Sequence, residues 1–594
     1  MKATSKLFVT ALIAAVLTAG AWAENPEAGK PAAAEGAAAT AAPPITAADV
    51  QALKDALAAQ QRQIQALQQE LHGRSRGPNA DADLQPVNAT TQPTVQNAVL
   101  NVQDAQQQPA QDSPQTYNKQ MEGPLTIHFR GINITPGGYA AAEFVRRSRA
   151  LGADLPTPFN SVTMPGASQS NLSEFFYSGR QSKITTFVDG RLKNVDLSSY
   201  VSADFLSAGV TSTSTSTNGY TLRVRQAWGQ VKFDNGWSFL GGQGWSLVTE
   251  NGKGISPDDD LGRTNDARPK TIDPSYNVGF MFARQAGIRL TKSFGDKFAL
   301  AVAAENPQGT LTTHSNGDNF LLGEAGASNS YNTGSTYTFN PSPDIIVKAA
   351  FDPGFGHYEV FGIYDRFTDR IFPCGELAST ATCGGFAAGV TSAAGAFNAS
   401  KSGGGGGASA RFNFPGGFVF GLKGMAGRGI GRYTPGGLAD VSIHANGTLD
   451  LIKNVQGLGT VEWNRKRLTI YLYGGAEYAG RAYDFDPIIG KEVGYGAPLF
   501  NNSGCYTEVA PSVNTGFTPS SLSNCTADTR VVVEGTAGFW YRFYSGPRGK
   551  FQFGTQYSYL TRQTWSGAGF TKGTYVTPEG VDNMIFTSFR YILP

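Results

Sequence analysis

The sequence predicts an all-β transmembrane barrel preceded by a short α-helical coiled coil, and three observations carry that expectation. The chain opens with an export signal. Beyond residue 120, most of the chain alternates apolar and polar residues with a period of two. The last strand is aromatic on one face and runs almost to the C-terminus.

The signal comes first. Lys2 and Lys6 precede the apolar run "LFVTALIAAVLTAGAWA", which closes on Ala21-Trp22-Ala23. A basic start, a short apolar stretch and a small-residue site define a secretory signal peptide over 1–23. No later stretch supplies the ~20 continuous apolar residues of a spanning helix. Composition then narrows the class. There are 73 glycines, 37 phenylalanines and 23 tyrosines, with 48 Lys+Arg against 46 Asp+Glu. Removing the signal's two lysines leaves 46 of each sign, so no basic excess exists to neutralise nucleic acid phosphates. Glycine and aromatic richness at modest hydropathy is what strands with one face to lipid and one to water produce.

Residues 24–45 are Ala/Pro-rich without periodicity and read as a flexible segment. The helix is expected over 46–73, "TAADVQALKDALAAQQRQIQALQQELHG". Val50, Leu57, Ile64 and Leu71 form one line of a heptad seam, and Leu53, Gln60 and Leu67 the other. Thr46 caps its start and Gly73 its end. So short a helix is marginal alone. The Gln/Asn/Pro-rich tether at 74–120 favours self-association of the seam over docking on its own domain. The seam does not decide between two strands and three.

From 121 to 594 the texture is strands and turns. "KITTFVDGRL" sets Ile184, Thr186, Val188 and Leu192 against Lys183, Thr185, Asp189 and Arg191. "RKRLTIYLYGGAEY" sets Leu468, Ile470, Leu472 and Ala476 against Arg465, Arg467, Thr469 and Glu477. Around a Ser-Gly-Pro-Arg-Gly turn, Val533, Ala537, Phe539, Tyr541 and Phe543 face the same way as Phe551, Phe553, Tyr557 and Tyr559. Short turns such as "FDNGW" and "FGDK" alternate with long polar loops, the asymmetry of an outer-membrane barrel. A sandwich or solenoid would be equally strand-rich, but neither explains the signal, the loop asymmetry and the final strand together. That strand puts Ile585, Thr587, Phe589, Tyr591 and Leu593 on one face. Asp582, Ser588 and Arg590 fall on the other, with Met584 and Phe586 as apolar exceptions there. A barrel-closing strand removes the open edge that would otherwise aggregate. "SFRYIL" resembles the C-terminal pattern of outer-membrane barrels, with Leu593 in place of a terminal aromatic and Pro594 appended.

Two further stretches resemble the DcaP-like trimeric outer-membrane porin family. Arg180-Gln181-Ser182-Lys183 is similar to its Arg-Gln-Ser-Arg signature, with lysine in the last place. "LRVRQAWGQVKFDNGWSFLGGQGWSLV" is similar to its Arg-rich strand and Gly-Gln-x-Trp-Ser strand, at Arg223, Arg225, Gly242, Gln243, Trp245 and Ser246. The likeness is clearest over 121–310. It implies a barrel of about 16 antiparallel strands, a homotrimer held through barrel walls and the coiled coil, and diffusion of small anionic solutes such as dicarboxylates. The surroundings would be outer-membrane lipid, with the N-terminal segment in the periplasm. Phosphate-selective porins are a neighbouring family of similar plan.

A channel's chemistry is the potential along its constriction. Alternation places Lys183, Arg191, Arg223, Arg225, Arg289, Arg465, Arg467, Arg542 and Arg590 on the lumen side, with Asp189, Asp204, Glu477 and Glu534 as acidic partners; Arg180, Lys183, Arg223 and Arg225 come first because they cluster within a few neighbouring strands. Arginine forks onto carboxylates, which suits an acid-conducting path and equally suits bracing the wall. Asp258, Asp259 and Asp260 read as a solvated loop. Cys374/Cys383 and Cys505/Cys525 are expected as two local disulfides, although four cysteines allow three connectivities. Metal binding is the competing reading of the cysteines and lacks CxxC spacing and a nearby histidine. No cofactor is expected. A barrel hydrolase would need a Ser/His pair. His72, His128, His314, His357 and His444 are scattered and follow no nucleophile motif. A structural or adhesive barrel is the other alternative.

Overall fold

The computed structural model describes residues 126–594. Outside it are the segments 207–220, 258–266, 313–319, 322, 325–336, 339, 374–381, 384–385, 388–392, 394, 488–489, 499–501, 509–524, 526 and 570–573. The expected signal, coiled coil and tether lie outside the described residues, as do Asp258–Asp260 and Cys374, the expected disulfide partner of Cys383.

Sixteen antiparallel strands close into a barrel. They are β1 (Ile132–Arg147), β2 (Glu174–Ser178 and Lys183–Leu192), β3 (Val195–Asp204), β4 (Arg223–Phe233), β5 (Trp237–Trp245) and β6 (Arg284–Phe294). Next come β7 (Phe298–Glu305), β8 (Asp344–Phe351), β9 (Gly356–Ile371), β10 (Phe397–Phe414) and β11 (Phe418–Arg428). The circuit ends with β12 (Lys453–Asn464), β13 (Leu468–Ala479), β14 (Thr529–Gly546), β15 (Gly549–Thr564) and β16 (Glu579–Ile592). Closure is made by β1 against β16, from Tyr139↔Ile592 to Arg147↔Met584. Every backbone group in the spanning wall can then find a partner in the next strand, the condition for crossing a bilayer in extended structure.

β2 is broken at Gly179–Ser182, the stretch that carries the family resemblance. Its two halves pair with the two halves of β1. At the break the Ser182 hydroxyl accepts from the Ala141 N–H at 3.0 Å, which patches the ladder. Gly138 sits opposite with φ +132 and its Cα against the Lys183 carbonyl, where no β-carbon could fit.

The two ends of the barrel differ. At one end the strands turn within two to four residues, as at Pro547–Arg548 between β14 and β15. At the other, eight longer connections span 148–173, 205–222, 246–283, 306–343, 372–396, 429–452, 480–528 and 565–578. Outward faces carry lipid-type side chains, including Phe412, Phe418, Phe420, Tyr541, Phe551, Phe589 and Tyr591 near the short-turn end.

The interior is not an empty tube. Four of the long connections contribute to a core within the barrel. Phe159 and Val162 of the first, Ile272, Val278 and Phe280 of the third, Leu438 and Ile452 of the sixth, and Ala482 and Tyr495 of the seventh are all buried in one cluster. Met584 and Phe586 of β16 belong to it. Those two residues break the polar pattern of the inner face because they face an infolded loop instead of water. Burying a side chain of that size contributes roughly 1.5–3 kcal/mol, which offsets the ordering of one or two loop residues, so the docked loops need the whole cluster.

Candidate functional site: a cationic cavity under an infolded loop

The connection between β5 and β6, residues 246–283, runs inside the lumen and is tied down through its own backbone. Glu305 accepts the Leu247 N–H at 2.7 Å and Glu359 the Asn251 N–H at 3.0 Å. Further along, Gln556 accepts from Ile272 at 2.6 Å, Glu534 from Val278 at 2.9 Å and Glu477 from Gly279 at 2.8 Å. The Trp540 indole donates to the Lys270 carbonyl at 2.7 Å. Gly475 lies so near the Val278 carbonyl that any side chain there would expel the loop. Wall carboxyl groups are thus spent on loop amides, and each such hydrogen bond stabilises by about 0.5–1.5 kcal/mol.

One result is a cavity of about 200 Å³ between residues 268–276 of this loop and the wall of β1, β2, β4 and β12–β16. Six cationic residues line it, namely Lys183, Arg225, Arg268, Lys270, Arg542 and Arg590, against a single carboxylate, Asp273. Tyr139, Tyr276 and Trp540 supply its aromatic surface. Arg590 is held by Glu143 at 2.7 and 2.9 Å, and its guanidinium lies over the Tyr139 and Trp540 rings at 5.1 and 4.7 Å. Lys183 sits 5.5 Å above the Tyr139 ring. Arg225 bonds Asp204 at 2.7 Å and reaches the Tyr276 hydroxyl at 3.4 Å.

The remaining lumen-side candidates stand elsewhere. Arg223 forks onto the buried Asp204 with both bonds at 2.9 Å, beside Arg225 but outside the cavity lining. Arg180 bridges to Asp154 of the first connection at 2.8 Å and donates to the Phe205 carbonyl at 3.0 Å. Arg191 is exposed at the short-turn end, between Asp196 and Asp234 at 2.8 and 2.7 Å. Arg289 is buried and donates to the Trp245 carbonyl at 2.6 Å. Arg465 and Arg467 are a correction in detail. β12 ends at Asn464 and β13 starts at Leu468, so both occupy the turn and no inner strand face. The alternation runs two residues too far, into a basic turn.

Alternation misses Arg268 and Lys270 because a loop has no period. "ARPK" in an otherwise Asp/Asn/Gly-rich stretch is the available signal, since cations there have no strand to brace.

Across the lumen from the cavity the charges are matched. Glu250 of the infolded loop meets Lys423 and Arg411, the latter at 3.2 Å. Burial would raise this carboxyl, but the two cations outweigh burial and bring it down to about 2. Lys348 bonds Glu359 at 2.9 Å, and His357 stands between Asp352 and Glu359 at 2.8 and 3.0 Å. Arg432 of the sixth connection reaches Asp344, Asp440 and Asp365 at 2.5, 3.0 and 3.4 Å.

Cys505–Cys525 is formed. The expected Cys374–Cys383 bridge lies outside the described residues. Cys383 lies opposite Phe386 in a hairpin of two-residue strands, Thr382–Cys383 against Phe386–Ala387, within the connection between β9 and β10.

A closed barrel of sixteen antiparallel strands with short turns, long loops and an infolded loop is a porin-type barrel. The outer membrane channel DcaP of Acinetobacter baumannii has the same fold. It is 13% identical, with 78% of this chain and 99% of that chain covered at a TM-score of 0.50. OmpT, an outer membrane protein of Vibrio cholerae, is 10% identical over 79% and 99% at 0.38. An anion-selective porin from Comamonas acidovorans is 10% identical over 78% and 100% at 0.37. No family model and no curated protein matches the chain.

Proposed function

We propose that this protein is an outer-membrane diffusion channel that prefers small anions, dicarboxylates among them. The observation that carries the reading is the charge imbalance of the cavity, six cations to one carboxylate in a near-neutral chain. The imbalance has a structural source. On this side Glu477 and Glu534 accept loop amides, while Glu143 and Asp204 pair with Arg590 and Arg225, so none of these four acids joins the lining. Two unit charges ~4 Å apart interact by about 4 kcal/mol at an effective dielectric of ~20, so even partly screened cations bias ion occupancy. A low-dielectric wall focuses that field on the passage. A solute with two carboxylates can engage two arginine forks at once, as one carboxylate cannot. No step of this function is a reaction. Assembly as a homotrimer, with the 46–73 seam at its axis, belongs to the same proposal.

Planar-bilayer conductance tests it. The expected record is discrete steps in groups of three with a reversal potential on the anion side in a salt gradient. Lys183→Gln with Lys270→Gln should move that potential towards cations and slow dicarboxylate influx more than influx of a neutral sugar. A silent protein would turn the reading to a structural or adhesive barrel. Unchanged selectivity in the double variant would place the constriction elsewhere.

A further inference from the structure

The outer face of the barrel carries a feature that conduction does not use. Arg428 ends β11 and Lys453 starts β12, and the two are direct cross-strand partners. Both are exposed and both stand at outward positions, since the flanking Gly427 and Asn454 alternate inwards with Met425 and Gln456. Like charges placed opposite each other on a sheet repel and weaken it. Arg366 of β9 is exposed on the same side. It pairs with Ser402 of β10, and Arg428 is reached across that strand through Gly404, two strands away and about 10 Å across the sheet. Among the described residues none of the three cations has an ion pair, and Arg428 makes one bond, to the Leu451 carbonyl at 3.2 Å.

The wall offers these cations nothing to meet. Of the carboxylates in the sixteen strands only Glu579 takes an outward position, and it stands on β16, with Gln563 at 3.3 Å. All three cations lie at the loop end of the wall, which faces outwards from the cell in barrels of this plan. Beside Arg366, the Tyr364 and Ser402 hydroxyls lie 3.0 Å apart and offer donors at the same height. Nearer mid-membrane the outward residues shrink to a row, Ala408↔Gly424↔Gly457, where acyl chains can lie close to the sheet.

From this arrangement we infer that the outer wall of β9–β12 is a binding site for a phosphorylated glycolipid of the outer leaflet. Its phosphates would bridge Arg428 and Lys453 at one point and meet Arg366 at the other. Arginine takes phosphate through two parallel N–H donors, and a bound phosphate turns the Arg428/Lys453 repulsion into an attraction. A second copy of the chain is a poorer occupant, because its outward strand positions lack the carboxylates that would complement the row. The inference rests on the membrane-barrel reading and not on anion selectivity.

The test uses the full-length protein in nanodiscs, titrated with fluorescent bis-phosphorylated lipid A, with dephosphorylated lipid A and with inorganic phosphate as competitor. The triple variant Arg366→Gln, Arg428→Gln, Lys453→Gln should bind the bis-phosphorylated lipid at least tenfold more weakly. Arg366→Lys with Arg428→Lys should keep most of the affinity. The dephosphorylated lipid should bind the wild type as weakly as the triple variant binds the phosphorylated one. Conductance and ion selectivity should be the same in all variants, which reports a folded barrel and separates this site from the passage. Equal affinity of wild type and triple variant overturns the inference. So does full competition by millimolar inorganic phosphate, or a change of oligomeric state in the triple variant without a change in lipid affinity.

Discussion

Two sides of the same lumen use the same residue types to opposite ends. On the β8–β11 side, Lys348, Lys423, Arg411 and Arg432 each touch a carboxylate, and the cluster pins two infolded connections. On the side of β1, β2 and β14–β16, cations outnumber acids around a cavity. The difference teaches that an arginine on an inner face is not a pore residue by position alone. What decides is how the neighbouring acids are engaged: on the cationic side Glu477 and Glu534 accept loop amides, while Glu143 and Asp204 pair with Arg590 and Arg225.

The largest expected effect breaks the matched side. Arg432→Met leaves Asp344, Asp365 and Asp440 buried around an apolar side chain. Removing one partner from a buried charge cluster costs about 3–5 kcal/mol. The sixth connection should come loose, lowering the thermal midpoint of heat-modifiable migration and making single-channel conductance larger and noisier. If the midpoint stays within a degree of wild type, the cluster is not a strut.

Arg223→Gln with Arg225→Gln attacks the border between the two sides. Both arginines share Asp204, which is 1% exposed. The double change removes one cation from the lining and strands a buried acid next to it. Stability should fall by roughly 2–3 kcal/mol and selectivity should shift towards cations. The shift should shrink at ~1 M salt, where screening acts over ~3 Å. A stability loss with unchanged selectivity would assign this pair wholly to the matched side.

How much of this contrast is legible in the chain depends on the range of the interactions involved. Strand periodicity is local, so "KITTFVDGRL" and the β14–β15 hairpin read correctly, including the turn at Pro547–Arg548. Loop asymmetry is local too. Infolding is not. Val278 and Glu534 are 256 residues apart, and no pattern in either segment announces the other. Met584 and Phe586 are the one visible trace, two apolar residues on a face that should be polar. The division of lumen cations into struts and lining depends on these same distant contacts. Arg223 and Arg225 are two residues apart in a single strand, yet only Arg225 reaches the cavity.

Asp273 sharpens the cationic side by a smaller amount. It is the one lining carboxylate, accepting the Ser275 N–H at 2.8 Å and the Thr157 N–H at 3.4 Å. Burial pushes it up to about 6, against the pull of Thr157, Ser275 and Arg147. A carboxyl with a raised value favours docking in its neutral form. Docking of the loop should therefore be firmest below about pH 4. It should weaken between about pH 4 and 6, where the undocked acid ionises first, and level off above that. A shift of two units corresponds to about 2–3 kcal/mol. Asp273→Asn should flatten that pH dependence, steady the loop at pH 7 and increase anion preference. A pH profile identical to wild type would remove Asp273 from the account.

The smallest effect is expected from Cys505–Cys525, within the 480–528 connection. A chain-entropy argument would assign a bridge of this span about 3 kcal/mol. That figure refers to a fully unfolded chain. In the membrane the relevant opening is of the 480–528 connection alone, while β13 and β14 stay paired and hold its ends together. Cys505 is also fixed without the bridge. Its carbonyl accepts the Gly166 N–H at 2.7 Å, and Asn502 reaches the Trp565 and Val576 carbonyls at 2.9 and 3.1 Å. Reduction should thus cost less than about 1 kcal/mol and leave conductance and selectivity unchanged. Were reduction to alter selectivity, the seventh connection would have to act on the passage from above. The contrast between a matched and a cationic side would then need a third region.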